Sequence, residues 1–454
     1  MNLFRSKAAG AVILLALAAG CQKNVLEPES AGPTAMKEVP AVRLNYRYEP
    51  DVPPPEAVAL PAAERNAAVQ AHFDQNRTQE ILDTTITSPD GAKVLAVYHN
   101  VADLPSEFRL DMYTADGQIL RRITADSMAV HFPDSIRWAP DSSTVAFVAM
   151  IRGVPAVDPS NTADPNSPAA AGTPPANSNA STEVNANTNT ETDAIAAADA
   201  NVDANAAVAP TEPTPEAPVG VLTFRTEQIY ICNADGGDVK PLTQNEGLIY
   251  FYYVWSPDST MLAALAATAR EWHYLNQSAE LKGEIFVPVG RPRLVEKNGR
   301  ERRLDDGLTA VQPVWSPDSA KIAAGFDTQV RIYDAGVNAP TQAAIPLRNH
   351  LLLSSQAYDR DQQTKLNAVN TAPDANMAAN AGNANTNTQP SSVLPDPNTL
   401  VSFNPIIALN WTADDLLYFQ TAFVKRMKNE ADSAMSFPRW HRLVLSPQPM
   451  PGAN

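Results

Sequence analysis

The chain has 454 residues, a formal net charge of −16 and a hydrophobic fraction of 44%, an ordinary apolar content for a globular protein. Nine of the acidic residues fall between 153 and 224, a stretch with no Lys or Arg, and setting those nine aside leaves a charge of −7. No basic stripe of the kind that nucleic-acid binding needs is present. The 39 prolines, together with tracts rich in Asn, Ala and Thr, point instead to segments outside any packed core.

In chain order, Arg5 and Lys7 form a charged start, Ala8 to Ala19 is apolar, and Ala18-Ala19-Gly20-Cys21 follows. An apolar run of twelve residues falls short of the ~20 needed to span a bilayer, so residues 1–21 read as a signal peptide. Its ending resembles a bacterial lipobox, in which the Cys21 thiol takes a diacylglyceryl group. The alternative is ordinary cleavage after Ala16-Leu17-Ala18, with Cys21 left as a free thiol. Lipidation would tether the protein to a membrane, each buried CH₂ contributing about 0.8 kcal/mol. Gln22 after the cysteine points to the outer membrane by the enterobacterial sorting rule. The other cysteine, Cys232, sits in Ile229-Tyr230-Ile231-Cys232 and reads as a small buried hydrophobe.

Residues 22–60, rich in Pro and Glu, read as a tether, with Ala41 to Tyr48 a candidate strand. Over 61–77 the recurrence of Ala63, Ala67, Val69 and Phe73 predicts one short helix. From Glu80 onward one unit repeats. Ile86-Thr87-Ser88-Pro89-Asp90-Gly91 leads into Val94 to Tyr98, and Trp138-Ala139-Pro140-Asp141-Ser142 leads into Val145 to Val148. Trp255-Ser256-Pro257-Asp258-Ser259 precedes Met261 to Ala267, and Trp315-Ser316-Pro317-Asp318-Ser319 precedes Ile322 to Phe326. The last copy, Trp411-Thr412-Ala413-Asp414-Asp415, leads into Leu416 to Phe419.

Each copy is a β-hairpin around a type I turn. Proline presets φ near −65°, aspartate suits the next position, and Ser or Gly closes the turn. Pro89 to Pro140 spans 51 residues and Pro257 to Pro317 spans 60. Low-complexity inserts at 153–220 and 362–402 lengthen the other two intervals. Without them every spacing returns to roughly 50 to 60 residues, the size of a four-stranded propeller blade. The inserts have almost no aromatic residues and are expected to be long disordered loops.

This repeat, together with Gln228-Ile229-Tyr230-Ile231-Cys232-Asn233-Ala234-Asp235-Gly236-Gly237 running to Pro241-Leu242-Thr243, resembles that of TolB-like β-propellers. The resemblance implies an all-β propeller of four-stranded blades. Five repeats are countable; the family implies six, the sixth to come from Ala41–Tyr48 or His350–Tyr358. First blades then occupy 61–152 with the helix, central blades 221–361, the last blade 403–446 and a tail 447–454. The repeat residues Trp138, Trp255, Trp315 and Trp411 are expected between blades. Pro140, Pro257, Pro317, Asp141, Asp258 and Asp318 are expected to form turns.

Residues 268–308 are locally basic. Arg291, Arg293, Arg300, Arg302 and Arg303 read as a solvated outer hairpin turning at Asn298-Gly299, or as a contact surface for an anionic partner. The six histidines (His72, His99, His131, His273, His350, His441) show no ligand spacing, and no nucleophile elbow, zinc, phosphate-loop or dinucleotide motif occurs. No catalytic residue, metal or cofactor is therefore assigned. Two function classes follow: a lipid-anchored envelope scaffold that binds a protein partner, as the resemblance implies, or a hydrolase, lyase or glycan-binding propeller working at the central channel.

Overall fold

In every repeat the residues on either side of the Asp-containing turn become the first two strands of an antiparallel meander. The structure, a computed structural model, describes residues 35–56, 65–104, 106–151, 227–245, 247–336, 340–370 and 394–448. Cys21 and the rest of the signal peptide expected over 1–21, the insert expected at 153–220 and most of the second insert lie outside these residues.

Strand β1 (Leu44–Glu49) and helix α1 (Ala67–Asn76) precede the repeats. Blade 1 is β2 (Glu80–Thr87), β3 (Lys93–Asn100), β4 (Arg109–Thr114) and β5 (Ile119–Arg122). In blade 2 the first strand is split into β6 (Met128–His131) and β7 (Arg137–Trp138). Both pair with β8 (Thr144–Ile151), which is followed by β9 (Gln228–Asn233) and β10 (Lys240–Pro241). Blade 3 is β11 (Leu248–Trp255), β12 (Met261–Thr268), β13 (Arg291–Glu296) and β14 (Glu301–Arg303), with helix α2 (Ala269–Leu281) between its middle strands. Blade 4 is β15 (Val314–Trp315), β16 (Lys321–Phe326), β17 (Gln329–Asp334) and β18 (Gln342–Pro346). Helix α3 (Arg348–Asn370) then precedes blade 5, which is β19 (Ile406–Ala413), β20 (Leu416–Lys425) and β21 (Ala434–Pro447) completed by β1.

Successive sheets bury their faces against each other. Leu95 and Val97 pack with Val145 and Phe147, Ala146 and Val148 with Leu262 and Ala264. Ala263 and Leu294 pack with Ile322 and Tyr333, and Ala323 and Ile332 with Leu417 and Phe419. All four residues of β5 are exposed, whereas the Trp-bearing strands are bonded to one another, so these lie innermost. The fold is an all-β propeller, and the described residues build five blades.

The repeat residues carry the junctions. Trp138, Trp255, Trp315 and Trp411 are each at most 7% exposed. The Trp138 indole N–H donates to Ile86 O at 3.1 Å, that of Trp255 to Arg137 O at 3.4 Å and that of Trp315 to Val254 O at 3.1 Å. Each acceptor is the residue just before the Trp position in the preceding blade. A second set of bonds runs beside the first. The hydroxyls of Ser142, Ser259 and Ser319 accept the N–H of Asp90, Asp141 and Asp258 in the preceding blade, at 3.1, 3.0 and 3.0 Å. Blade 1, with Thr87 and Gly91 at these two positions, supplies neither group. The Trp411 indole turns back to Asp414 O in its own blade.

The stretches expected to supply a sixth blade go elsewhere. Residues 44–49 pair with β21 from Leu44↔Pro447 to Glu49↔Arg442, so they form the outer strand of blade 5. The Ala41 N–H donates to Asp334 Oδ1 at 2.9 Å, tying the same segment to blade 4. The tether expected over 22–60 is shortened accordingly. His350–Tyr358 is helical, and α3 continues to Asn370, past the boundary at 362 expected for the insert. The short helix predicted over 61–77 is α1, N-capped by the Asn66 side chain, with Val69 and Phe73 packed on Leu82, Tyr98 and Tyr113 of blade 1.

Candidate functional site at one mouth of the propeller

In a meander blade the first and third turns share one end. The second turn and the blade-to-blade connection share the other. At the first end lie the Asp-containing turns, and they are tight. Asp90, Asp141, Asp258 and Asp318 each accept the N–H two residues on, from Ala92, Ser143, Thr260 and Ala320, at 2.9 to 3.1 Å. Ser88, Ser256 and Ser316 donate to the same carboxylates at 2.5 to 2.6 Å. The Ser88 bond holds Asp90 below its ordinary pKa. At Asp258 burial pushes upward, but the Ser256 and Thr260 bonds prevail and the net shift is down. These are turn-forming aspartates, as the turn chemistry predicts.

Among the described residues the opposite end carries the elaborations: 101–104 with 106–108, 269–290, 347–370 with 394–405, and 426–433. Of these, 269–290 departs most from expectation. An outer hairpin was expected over 268–308; a helix and a strap come first, and only the later part, β13–β14, is a hairpin turning at Asn298-Gly299. Thr268 caps α2 through the Glu271 N–H while Glu271 bonds back to the Thr268 N–H, so the helix starts on a complete capping box. Arg291 grips the same carboxylate at 2.7 and 2.8 Å, which lowers the Glu271 pKa to about 2.

Trp272 on α2 packs edge-on to Phe286 at 4.8 Å, with Phe251 at 5.4 Å and Phe132 at 5.8 Å. The chain then reaches blade 5. Ile285 N–H donates to Arg426 O at 3.0 Å, Lys428 N–H to Gly283 O at 2.9 Å, and Lys428 pairs with Glu280 at 3.0 Å. It returns to blade 3 at Gly290, where a Cβ would lie 2.8 Å from Phe251 Cε1 and from Ala266 O. Glycine is required there by close approach.

Between this strap and blades 4 and 5 lies a cleft of about 780 Å3, within the range of ligand sites. Val287, Leu308, Val311, Phe326, Ile406 and Val424 give it apolar walls, with Lys425 and Arg426 at its rim. A smaller cavity of about 430 Å3 lies between the outer strands of blades 2 and 3. The one carboxylate lining it, Glu301, already accepts from Tyr250 at 2.8 Å and pairs with Arg293.

The basic stretch does not assemble into a free cationic patch. Arg291 and Arg293 are committed to Glu271 and Glu301. Arg302 donates to Asp334 O at 2.8 Å, and Arg300 and Arg303, about half exposed, stand beside Glu296 and Asp306. The histidines are dispersed too. His72 meets the Tyr113 hydroxyl, His99 meets Asp83 at 2.7 Å and His131 meets Glu227 at 3.3 Å. His441 is fully buried between the Tyr48 hydroxyl at 3.0 Å and Thr421 Oγ1 at 3.1 Å, and burial drives its pKa down to about 3. Among the described residues no group of three His, Cys, Asp or Glu side chains is placed to hold a metal ion. Cys232 is buried, its thiol pushed up to about 12 by desolvation. No described helix is long and apolar enough to cross a membrane.

No family model matches the chain, and no curated protein matches it. Solved structures with a similar course include an oligogalacturonate lyase in complex with manganese, at 11% identity and TM-score 0.33, covering 81% of this chain and 66% of that one. A putative TolB from Agrobacterium tumefaciens is similar at 9% identity and TM-score 0.31, covering 82% of this chain and 91% of that one. A prolyl endopeptidase is similar at 10% identity and TM-score 0.29, covering 68% and 35%. The chain spans about two thirds of the length of the lyase. At these TM-scores the fold rests on the sheets and their packing.

Proposed function

We propose that this protein is a bacterial envelope lipoprotein, anchored through Cys21, whose TolB-like propeller binds a protein partner without turning over a substrate. The observation that carries the reading is the asymmetry of the two ends. One end is closed by short, internally bonded turns; the other gathers the long connections, the α2 strap and the apolar cleft. Rigid blades with elaborated loops at one mouth suit recognition of a partner, and a propeller face can supply the roughly 1,600 Å² that specific interfaces bury. The lipobox-like Ala18-Ala19-Gly20-Cys21 would hold that surface at a membrane.

In-cell crosslinking and purification from detergent-solubilised envelopes tests the reading. It should recover one defined protein partner, and replacing Val287 and Met435 at the cleft by Asp should weaken the capture. Recovery of no partner, together with cleavage of a peptide or polysaccharide by the pure protein, would favour the enzyme reading. For the anchor, labelled fatty acid should enter the wild type and not Cys21→Ser.

A further inference from the structure

The cleft beside the strap combines internally bonded walls with a charged end. Gly290 and Thr309 exchange both backbone bonds at 2.9 Å, and Ile406 N–H donates to Asp327 O at 2.7 Å. The Thr309 hydroxyl donates to Gly325 O at 2.6 Å and accepts the Val311 N–H at 2.9 Å. Val424 and Lys425 are in register with Met435 and Ala434 across β20 and β21, and Arg426 O accepts the Ile285 N–H at 3.0 Å. Ser433 Oγ accepts the Met427 N–H at 2.8 Å. What these walls offer an occupant is apolar surface rather than hydrogen bonds. Two cations stand apart from this. Lys425 and Arg426 line the cleft and are exposed, and among the described residues neither forms an ion pair, unlike Lys428. The other exposed polar side chains of the lining are Gln312 and Asp327. Asp327 marks the opposite end, because its carbonyl bonds Ile406, which pairs with Thr421, four and five residues before Lys425 and Arg426. At about 3.3 Å per residue, the two ends lie roughly 13–17 Å apart along β20.

We propose that this cleft binds the anion of a free fatty acid, an inference that does not depend on partner binding. The carboxylate sits against Lys425 and Arg426 in charge-assisted hydrogen bonds, and the chain runs between Val287 and Val311 toward Ile406. Asp327, in water at the far end, repels a carboxylate and so fixes the direction. With C–C bonds near 1.52 Å, an extended chain rises roughly 1.25 Å per carbon, so about twelve carbons cover the distance between the ends. At ~30 Å3 for a group the size of water, the 780 Å3 of the cleft holds about two dozen such groups. That is room for one chain and its head, and not for the two chains of a phospholipid. A polypeptide backbone threaded beside the strap would bring N–H and C=O groups that these bonded walls do not pair, and burying them so is costly. An acyl chain brings none.

The test is photolabelling of the full chain, solubilised in digitonin, by a twelve-carbon fatty acid that carries a diazirine in its chain. Digitonin has a rigid sterol body and no acyl chain to compete. Label is expected on the peptides that hold Val287 and Val424. Dodecanoate should displace it about fifteenfold better than decanoate, at about fourfold per buried methylene. Dodecyltrimethylammonium, with the same chain and the opposite charge, should compete about tenfold more weakly than dodecanoate. Lys425→Glu with Arg426→Glu should reverse that preference, an outcome that loss of the fold does not produce; the competitor series on wild type decides the matter if the variant unfolds. Label spread over other peptides overturns the proposal, as does equal displacement by the carboxylate and the ammonium on wild type. Displacement by apolar peptides and not by dodecanoate overturns it in favour of a protein segment. Stronger displacement by lysophosphatidylglycerol than by a carboxylate of equal chain length overturns it in favour of a membrane lipid. No partner enters the readout, so the result is distinct from that of partner capture.

Discussion

Ser259 Oγ accepts the Asp141 N–H at 3.0 Å across the junction of blades 2 and 3, and Ser259 does so with φ at +63°. Ser142 and Ser319 repeat the arrangement with φ at +61°. The left-handed region favours glycine, and an L-residue there costs roughly 1–2 kcal/mol. Gly91 occupies the equivalent place in blade 1, where no preceding blade is bonded through it. Serine is retained where its hydroxyl joins two blades.

Ser259→Ala should therefore lose the bond and keep the strain, lowering stability by about 1–3 kcal/mol. Ser259→Gly loses the same bond but relieves the strain, and should be about 1 kcal/mol more stable than the alanine variant. Urea unfolding midpoints compare them. Equal midpoints for the two variants would refute the strain argument.

The tryptophans should separate into two groups. Trp255→Ala and Trp315→Ala should each cost about 3–5 kcal/mol, as truncation of a buried aromatic does. Phenylalanine keeps most of the packing and loses the indole donor. Trp315→Phe should cost about 1 kcal/mol more than Trp411→Phe, because only the Trp315 indole reaches another blade. Thermal melts of the four variants check the order; a loss of ligand binding with wild-type melting would assign these residues to a site instead.

His441 predicts an acid limb. Its folded pKa, about 3, lies below the ordinary value of 6.5, so the unfolded chain binds the extra proton first. Stability is unaffected above pH 6.5, falls by about 1.4 kcal/mol per pH unit as pH drops toward 3, and levels off below that. His441→Gln should remove this component. The drop in unfolding free energy between pH 7.5 and 4.5 should be smaller in the variant; an equal drop in both proteins would show that His441 is not its source.

The second insert should be removable only within limits. Joining 370 to 394 through a short Gly/Ser linker should leave the melting temperature near that of wild type, since loop closure depends weakly on length. Extending the deletion to 364–402 removes Ser402, whose carbonyl bonds the Ser355 hydroxyl at 3.2 Å beside the buried Arg439. That variant should melt at least several degrees lower. Identical melting of the two deletions would rule out a structural role for 394–402.

The blades are legible in sequence because their information is local: Pro, Asp and Ser fix each turn, and an apolar run follows. Other parts are legible only in hindsight. Thr268 and Glu271 carry a capping box in plain sight, yet the neighbouring Arg270, Arg291 and Arg293 draw the eye to charge. The run Leu351-Leu352-Leu353 suits strand and helix equally until its length is known. The cleft is least legible of all. Its walls come from Val287 and Val289, 308–312, 326–327, 405–407, 424–426 and 433–435, and only the packing of the strap against blades 4 and 5 brings these together.

The pairing of β1 with β21 sets an order of assembly. Glu49 meets Arg442 across 393 residues of chain. During synthesis the first strand emerges with no edge to join, and it must wait, solvated, while four blades form behind it. Blades 2 to 4 can dock on their predecessors as they appear, each through its own Trp and Ser. Blade 5 cannot finish until the C-terminal strand arrives, so a chain stalled before residue 434 holds four blades and an orphan strand at its front. The last stage of folding is thus a single long-range closure, the slow kind of contact, and a prematurely terminated copy is left with an exposed edge.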